Sequence, residues 1–184
     1  MRKLGVSFGA KLELDIVVGE QPPAATEAVV VPQDVNLIMG DVEPIEDTSE
    51  TTQDVLARGV EARPRRAGTL VVGGAPQGAP LLMQAIVYDF EHSPPACEDH
   101  VFEALVRALE EAKTRGLSRI AVRPLGTAHA GIEPAEFLRL LAQACYSCAE
   151  LGTTLRKVHL LLPSPEELAR YEGLLQQVVQ ARKG

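Results

Sequence analysis

The sequence contains no tryptophan, and aromatic residues make up only 4% of its 184 residues. The core must therefore be built from aliphatic side chains, and hydrophobic residues do account for 46% of the chain. Three cysteines are too few to indicate the disulfide framework of a small secreted protein. We therefore expect reduced thiols, a cytoplasmic location and one domain spanning residues 1–184.

Long apolar runs and an excess of positive charge are also missing. No run approaches the roughly 18 apolar residues that a membrane span requires. The net charge of −7 disfavours contact with a nucleic-acid backbone, which needs clustered lysine and arginine. Membranes and nucleic-acid backbones are thus not expected as partners. Five of the 25 acidic residues cluster in a predicted surface loop at about 40–52, before a short helix at Gln53–Arg58.

The pattern of hydrophobic residues predicts a strand-rich first half and an alternating second half. Helices are predicted over Glu98–Arg115, from Pro134 to Leu151 and from Pro165 onward, where Ser164 is a capping residue. Strands are predicted at Leu4–Phe8, Leu12–Val18, Ala28–Val31, Gly68–Val72, Ala85–Phe90, Ile120–Val122 and Leu155–Leu162. Gly9–Ala10 is a predicted turn. This order predicts an α/β fold, a three-layer α/β/α sandwich with a mixed central sheet.

The segment after Ile120–Val122 carries the clearest functional signal. It reads R-P-L-G-T-A-H-A-G-I, with Gly126 and Gly131 in a turn that leads into a helix. A strand, a glycine-bearing loop and a helix in this order are how α/β proteins arrange backbone N–H groups around an anion. The pattern therefore favours a phosphorylated ligand.

From about Phe102 to the end, the sequence resembles the macro domain family, whose members bind ADP-ribose and related nucleotides. The motifs that match are L-V-R-A-L-E-E-A-K-T-R-G, S-R-I-A-V-R-P, L-G-T-A-H-A-G-I and K-V-H-L-L-L-P. The resemblance implies a macro-domain-like fold and a ligand such as ADP-ribose. It also implies that main-chain amides wrap the diphosphate, contributed by Gly126, Thr127, Ala128, His129, Ala130, Gly131 and Ile132.

The first half resembles the family more faintly. Gly19-Glu20 stands where the family has Gly-Asp, which implies that the Glu20 carboxylate accepts a hydrogen bond from the adenine amino group. Val31 replaces the first asparagine of the family strand Asp-Ala-Ile-Val-Asn-Ala-Ala-Asn, and Asp34 stands where the second positions the distal ribose. Only Gly40 remains of the glycine run that follows. The resemblance thus implies ligand binding without strong ADP-ribosyl hydrolase activity.

Two other functions remain open on the sequence. The degraded stretch Val31–Val42 would also suit a structural or protein-interaction module that has lost its nucleotide site and assembles as a homo-oligomer. Alternatively, the chain is a hydrolase of altered chemistry in which Asp34 and His129 are catalytic candidates that converge on one pocket.

Sequence patterns for a metal site or a catalytic nucleophile are weaker signals than the glycine-bearing loop. Cys145 and Cys148 form a C-x-x-C and Cys97 and His100 a C-x-x-H, which together have the donors of a zinc site. However, Cys148 falls on the apolar face of a predicted helix, which favours a packing role.

The acidic side chains after the third predicted strand, Asp34, Asp41, Glu43 and Glu46, are oxygen donors that a divalent cation would accept, but a solvated loop explains them more simply. Asp89 and His92 flank a strand end, and no serine nucleophile follows in a recognisable turn. We therefore expect no metal and no resident cofactor.

Overall fold

The computed structural model describes residues 5–8, 12–37, 39, 64–73 and 78–181. Within these ranges the chain forms one seven-stranded sheet and three helices. The predicted turn at Gly9–Ala10, the acidic loop at 40–52 and the helix at Gln53–Arg58 lie outside the described residues. The elements are β1 (Gly5–Phe8), β2 (Leu12–Val18), β3 (Ala28–Asp34), β4 (Leu70–Val72), β5 (Leu81–Tyr88), α1 (Glu98–Thr114), β6 (Arg119–Val122), α2 (Pro134–Glu150), β7 (Lys157–Leu162) and α3 (Pro165–Ala181).

The sheet has the strand order β1-β2-β7-β6-β3-β5-β4. Its five inner strands are parallel to one another, whereas β1 and β4 run antiparallel at the two edges. The predicted α/β class and mixed sheet are confirmed. Because the inner strands are parallel, their carboxyl ends meet at one edge, which is where open α/β sheets bind ligands.

Strand β3 is longer than predicted, because it continues past Val31 through Pro32 to Asp34. A proline in an inner strand normally removes a ladder hydrogen bond. Here β3 pairs with β6 only over Ala28–Val30, and the Arg123 amide donates to the Val30 carbonyl at 2.9 Å. The backbone nitrogen of Pro32, two residues further on, faces the β6 side of the strand, but at a position beyond the end of β6. Its missing N–H therefore costs no pairing, and the sheet opens at this point.

Strand β5 also begins earlier than predicted, at Leu81 rather than Ala85. The added residues Leu81–Gln84 include no β-branched side chain, so local propensity gave no strand signal. Parallel pairing with Ala28–Val31 of β3 holds them extended. Smaller corrections shift the starts of two predicted strands inward, to Leu70 and to Lys157.

The helices pack side by side against the sheet, with α1 against β5 and α2, and α3 against α2 and β2. The predicted helix ends are closely matched: Gly116 and Gly152 follow α1 and α2 in the left-handed region, with φ of 68° and 76°. The predicted cap of α3 is confirmed, since the Glu167 amide donates to the Ser164 hydroxyl at 3.3 Å. Residues that α1 buries are Val101, Ala104, Leu105, Ala108, Leu109 and Ala112.

Glu27 ties the start of β3 to the start of β6. Its Oε2 atom accepts hydrogen bonds from the Ser118 amide at 2.7 Å, the Ser118 hydroxyl at 2.8 Å and the Arg119 amide at 2.8 Å. These bonds, the Ser118 hydroxyl first, hold the pKa of Glu27 below its usual value. The carboxylate thereby fixes the two strands whose opposite ends border the opening in the sheet.

The substitution Glu27→Gln removes the negative charge that strengthens these hydrogen bonds. It is expected to lower the free energy of unfolding by only about 1 kcal/mol at neutral pH, because Glu27 is exposed and water weakens a charge-assisted hydrogen bond. Because the folded-state pKa is depressed, this contribution exists above the unfolded-state pKa and is lost as pH falls through the folded-state value. Urea unfolding should therefore show the wild-type advantage shrinking as the pH falls below the unfolded-state pKa of about 4.3. Glu110→Gln, on the exposed side of α1, is the control; equal losses in both variants would contradict the prediction.

Candidate functional site: a cleft at the carboxyl ends of the strands

A cleft of about 640 Å³ opens at the carboxyl ends of β2, β7, β6 and β3. Its walls come from segments that are far apart in the chain: the turn after β2, the end of β3, the segment after β6 and the start of α3. This volume lies within the range of small-molecule sites. Polar and charged residues in the lining are Glu20, Gln21, Arg123, Thr127 and Glu167.

The glycine loop, residues Leu125–Ile132, follows β6 as predicted, and its two glycines are required for different reasons. Gly126 has a φ of 71°, and a Cβ atom there would lie 2.6 Å from Cγ2 of Val101. A Cβ atom at Gly131 would overlap the carbonyl oxygen of Gly126 and lie 3.0 Å from that of Ala128. Any side chain at Gly131 must therefore open the loop.

The amides of the glycine loop divide into two groups. Three are used inside the protein: Gly131 donates to the Ala128 carbonyl at 3.0 Å, Ile132 to the Gly126 carbonyl at 2.8 Å, and Ala128 to the Tyr88 hydroxyl at 2.9 Å. The other five, those of Leu125, Gly126, Thr127, His129 and Ala130, have no acceptor among the described residues. The loop therefore presents fewer unpaired amides than the sequence suggested, although Thr127, which carries one of them, lines the cleft.

Two tyrosines from different elements hold the glycine loop. Tyr88, at the end of β5, accepts the Ala128 amide, and Tyr171 of α3 shares a side-chain hydrogen bond with Thr127. Both side chains are buried. Burial raises the pKa of Tyr88, and burial together with the Glu167 carboxylate raises the pKa of Tyr171 to about 12. Both therefore stay neutral at physiological pH.

The raised pKa of Tyr171 gives a test of this arrangement. A folded-state pKa above the unfolded-state value of about 10 gives stability that is present below pH 10 and lost as pH rises through the folded-state value. Tyr171→Phe is expected to reduce the alkaline slope of the unfolding free energy by up to about 1.4 kcal/mol per pH unit. Urea unfolding at several pH values between about 9 and 11 checks this; an unchanged slope would contradict it.

Glu20 and Arg123 lie side by side at the mouth of the cleft. Both residues line it, and Nη2 of Arg123 donates to the main-chain carbonyl oxygen of Glu20 at 3.2 Å. The described lining holds two carboxylates, Glu20 and Glu167, and a single cation, Arg123. The sequence prediction included Glu20 but missed Arg123. Its position directly after a parallel strand, at the edge where ligands bind, was the signal that could have found it.

No protein-family model matches the sequence, and no curated protein matches it. Solved structures do match. A macrodomain from Oceanobacillus iheyensis with ADP superposes with a TM-score of 0.74, at 16% identity over 98% of this chain and 98% of that chain. The chain has the macrodomain fold. The macro domain of ganglioside induced differentiation associated protein 2 matches at a TM-score of 0.64 and 16% identity, over 90% of this chain and 83% of that one. A Trypanosoma brucei macrodomain in complex with ADP-ribose matches at a TM-score of 0.62 and 15% identity, over 88% of this chain and 68% of that one.

The predicted resemblance is thus confirmed as a likeness of fold. Within the macrodomain fold, Asp34 is 2% exposed and does not line the cleft. Its Oδ1 atom accepts the Asn36 amide and its Oδ2 atom the Met39 amide, both at 2.7 Å. Gln33 supports the same turn, since its Oε1 atom accepts the amides of Asp34 and Met39. The structure therefore shows Asp34 as the organiser of a turn, and Met39 is the residue that this turn brings to the cleft.

His129 lies in an aromatic cluster with Tyr88 and Phe90. Its ring meets both others edge-on at centroid distances of 5.6 and 5.5 Å, while Tyr88 and Phe90 stack at 5.6 Å. His129 and Ala130 have φ of 55° and 56°, a conformation that costs about 1 to 2 kcal/mol per residue. The ring cluster holds this strained part of the macrodomain loop against the end of β5. The structure does not bring His129 and Asp34 together in the cleft lining.

The remaining candidates fall outside the cleft. The three cysteines form no disulfide, and no group of three or more metal-ligating side chains occurs among the described residues. Asp41, Glu43 and Glu46 lie outside those residues. Asp89 and His92 pair with each other at 2.9 Å near the end of β5. In the described part of the chain, no helix combines the length and apolar character needed to cross a bilayer.

Proposed function

We propose that the cleft of this macrodomain fold binds ADP-ribose or a related phosphorylated nucleotide. The observation that carries the proposal is that Glu20, Arg123 and Thr127 line one cleft at the carboxyl ends of parallel strands. Solved structures of the same fold are complexes with ADP and with ADP-ribose. A cleft lined by a carboxylate, a guanidinium and a loop threonine suits a ligand with a hydrogen-bonding base and an anionic tail.

The lining residues divide the recognition between them. The Glu20 carboxylate accepts a hydrogen bond from the exocyclic amino group of an adenine base. The Arg123 guanidinium provides the positive charge that phosphate oxygens require, and its planar fork suits them. The Thr127 amide lies where the glycine loop meets the cleft and donates to the same phosphates.

We include in the proposal that strong ADP-ribosyl hydrolase activity is lacking. Neither catalytic candidate from the sequence lines the cleft. Both carboxylate oxygens of Asp34 accept backbone amides, and the His129 ring packs edge-on against two aromatic rings. Incubation with a mono-ADP-ribosylated protein should therefore release little ADP-ribose, and rapid release would contradict this part of the proposal.

Isothermal titration calorimetry with ADP-ribose tests binding. The wild-type protein is expected to bind, and Arg123→Met to bind at least about tenfold more weakly, since a charge-assisted hydrogen bond contributes about 1.5 to 3 kcal/mol. Arg107→Met, on α1 and outside the cleft lining, is the matched control and should keep wild-type affinity. No heat and no thermal shift at millimolar ADP-ribose would contradict the proposal.

A second candidate, an assembly or interaction module, is favoured by one observation. Three amides of the glycine loop and the carboxylate of Asp34 are already bonded within the protein. Light scattering after size exclusion separates the two functions. A stable homo-oligomer that shows no ADP-ribose binding would favour the module, and a protein that binds ADP-ribose would favour the nucleotide site.

A further inference from the structure

Two polar groups on the side of the cleft towards β5, the Ala128 amide and the Asp34 carboxylate, are bonded within the protein. The Ala128 amide donates to the Tyr88 hydroxyl at 2.9 Å. Asp34, which pairs with Tyr88 across β3 and β5, accepts two backbone amides at 2.7 Å. A ligand group placed here would have to break these bonds before it could form its own, which cancels most of its gain.

Ring packing occupies the same side. His129 meets Tyr88 and Phe90 edge-on, and the two aromatic rings are stacked with an interplanar angle of 4°. Such edge-to-face contacts contribute about 0.5 to 1.5 kcal/mol each beyond the area they bury. The imidazole is therefore held against the end of β5.

The opposite side of the cleft is equipped differently. Glu20, Arg123 and Thr127 all line the cleft there. Glu20 supplies a hydrogen-bond acceptor for a base, Arg123 a cation, and Thr127 a backbone amide of the glycine loop. Arg123 is the only cation of the described lining, and it stands among the carboxylates of Glu20 and Glu167. Its attraction grows with the charge of the ligand, and a terminal phosphate carries more charge than one esterified to a second sugar.

The geometry points to a nucleoside diphosphate as the ligand class, with recognition that ends at the second phosphate. This inference rests on the proposed function, because it assigns the ligand of the same cleft. A sugar attached beyond the second phosphate gains no hydrogen bond from the Asp34 carboxylate or the packed His129 ring. It also removes one negative charge that Arg123 would attract. ADP is therefore bound at least as tightly as ADP-ribose.

Calorimetry of the wild-type protein with ADP, ADP-ribose and AMP at one salt concentration tests this. ADP is expected to match or exceed ADP-ribose in affinity, and AMP to bind about tenfold more weakly because it lacks the second phosphate. Binding of ADP-ribose about fivefold or more tightly than ADP would overturn the inference and leave the proposed function standing. No binding of any of the three would overturn both.

A conservative variant provides a second measurement. Asp34→Asn keeps one oxygen acceptor, so the ratio of the ADP-ribose and ADP dissociation constants should stay within about twofold of the wild-type ratio. A selective loss of ADP-ribose binding in this variant would mean that Asp34 contacts the second sugar, and would overturn the inference. If the variant does not fold, the comparison of the three ligands on the wild-type protein still decides.

Discussion

Replacing Gly131 with alanine is expected to abolish nucleotide binding, with a loss of affinity of about 100-fold or more. The added Cβ atom would overlap the Gly126 carbonyl oxygen and press on that of Ala128 at 3.0 Å. Both carbonyls accept the amides that close the glycine loop. The loop must therefore open, and the Thr127 amide moves away from the phosphates. Calorimetry with ADP and with ADP-ribose measures the loss.

The chain offers a matched control for this substitution. Gly173 is exposed in α3, and a Cβ atom there would meet nothing within 4 Å. Gly173→Ala should keep wild-type affinity and raise the free energy of unfolding by about 1 kcal/mol, because alanine is the better helix former. If Gly131→Ala bound both ligands as tightly as Gly173→Ala, the glycine loop would have no part in the site.

Replacing Asp34 with alanine is expected to lower the free energy of unfolding by about 2 to 4 kcal/mol. Each hydrogen bond to a charged acceptor contributes about 1.5 to 3 kcal/mol, and of the two amides bonded to Asp34 only that of Met39 keeps another acceptor, Oε1 of Gln33. The amides of Asn36 and Met39 would lose their carboxylate acceptor in a part-buried turn. Met39 lines the cleft, so we also expect weaker ligand binding. Urea unfolding measures the first effect and calorimetry the second.

Asp99→Ala is the comparison for this variant. Asp99 is exposed in the first turn of α1, where it interacts with the helix dipole. Its removal should cost only about 0.5 kcal/mol. A loss in Asp34→Ala no larger than that in Asp99→Ala would show that the buried carboxylate does not organise the turn.

Much of the fold follows from the sequence because its signals are local. The helices α1 and α2 begin at the predicted residues and end within one residue of the prediction, since apolar side chains recur at helical spacing and Gly116 and Gly152 stop them. The α/β class follows from the alternation of strands and helices. The early start of β5 was missed because Leu81–Gln84 has no strand propensity of its own and is held extended by its neighbour β3.

The residues of the site could be predicted from the sequence only in part. The glycine loop and Glu20 stand out in the sequence, and both border the cleft. Arg123 and the two tyrosines that hold the loop do not stand out. Tyr88 and Tyr171 reach the loop from a strand and a helix about 40 residues before and after it, and no spacing rule links such distant positions.

The sequence by itself determined the elements, the fold class and the need for glycine at two positions of one loop. These depend on backbone conformation and on the periodicity of neighbouring residues, which every stretch of chain carries with it. Only the tertiary structure decided which polar groups face a ligand. The sequence motif predicts that Asp34 binds the ligand, whereas its contacts show that it caps a turn. Two backbone amides fold back onto its carboxylate and use the oxygens that a sugar would need.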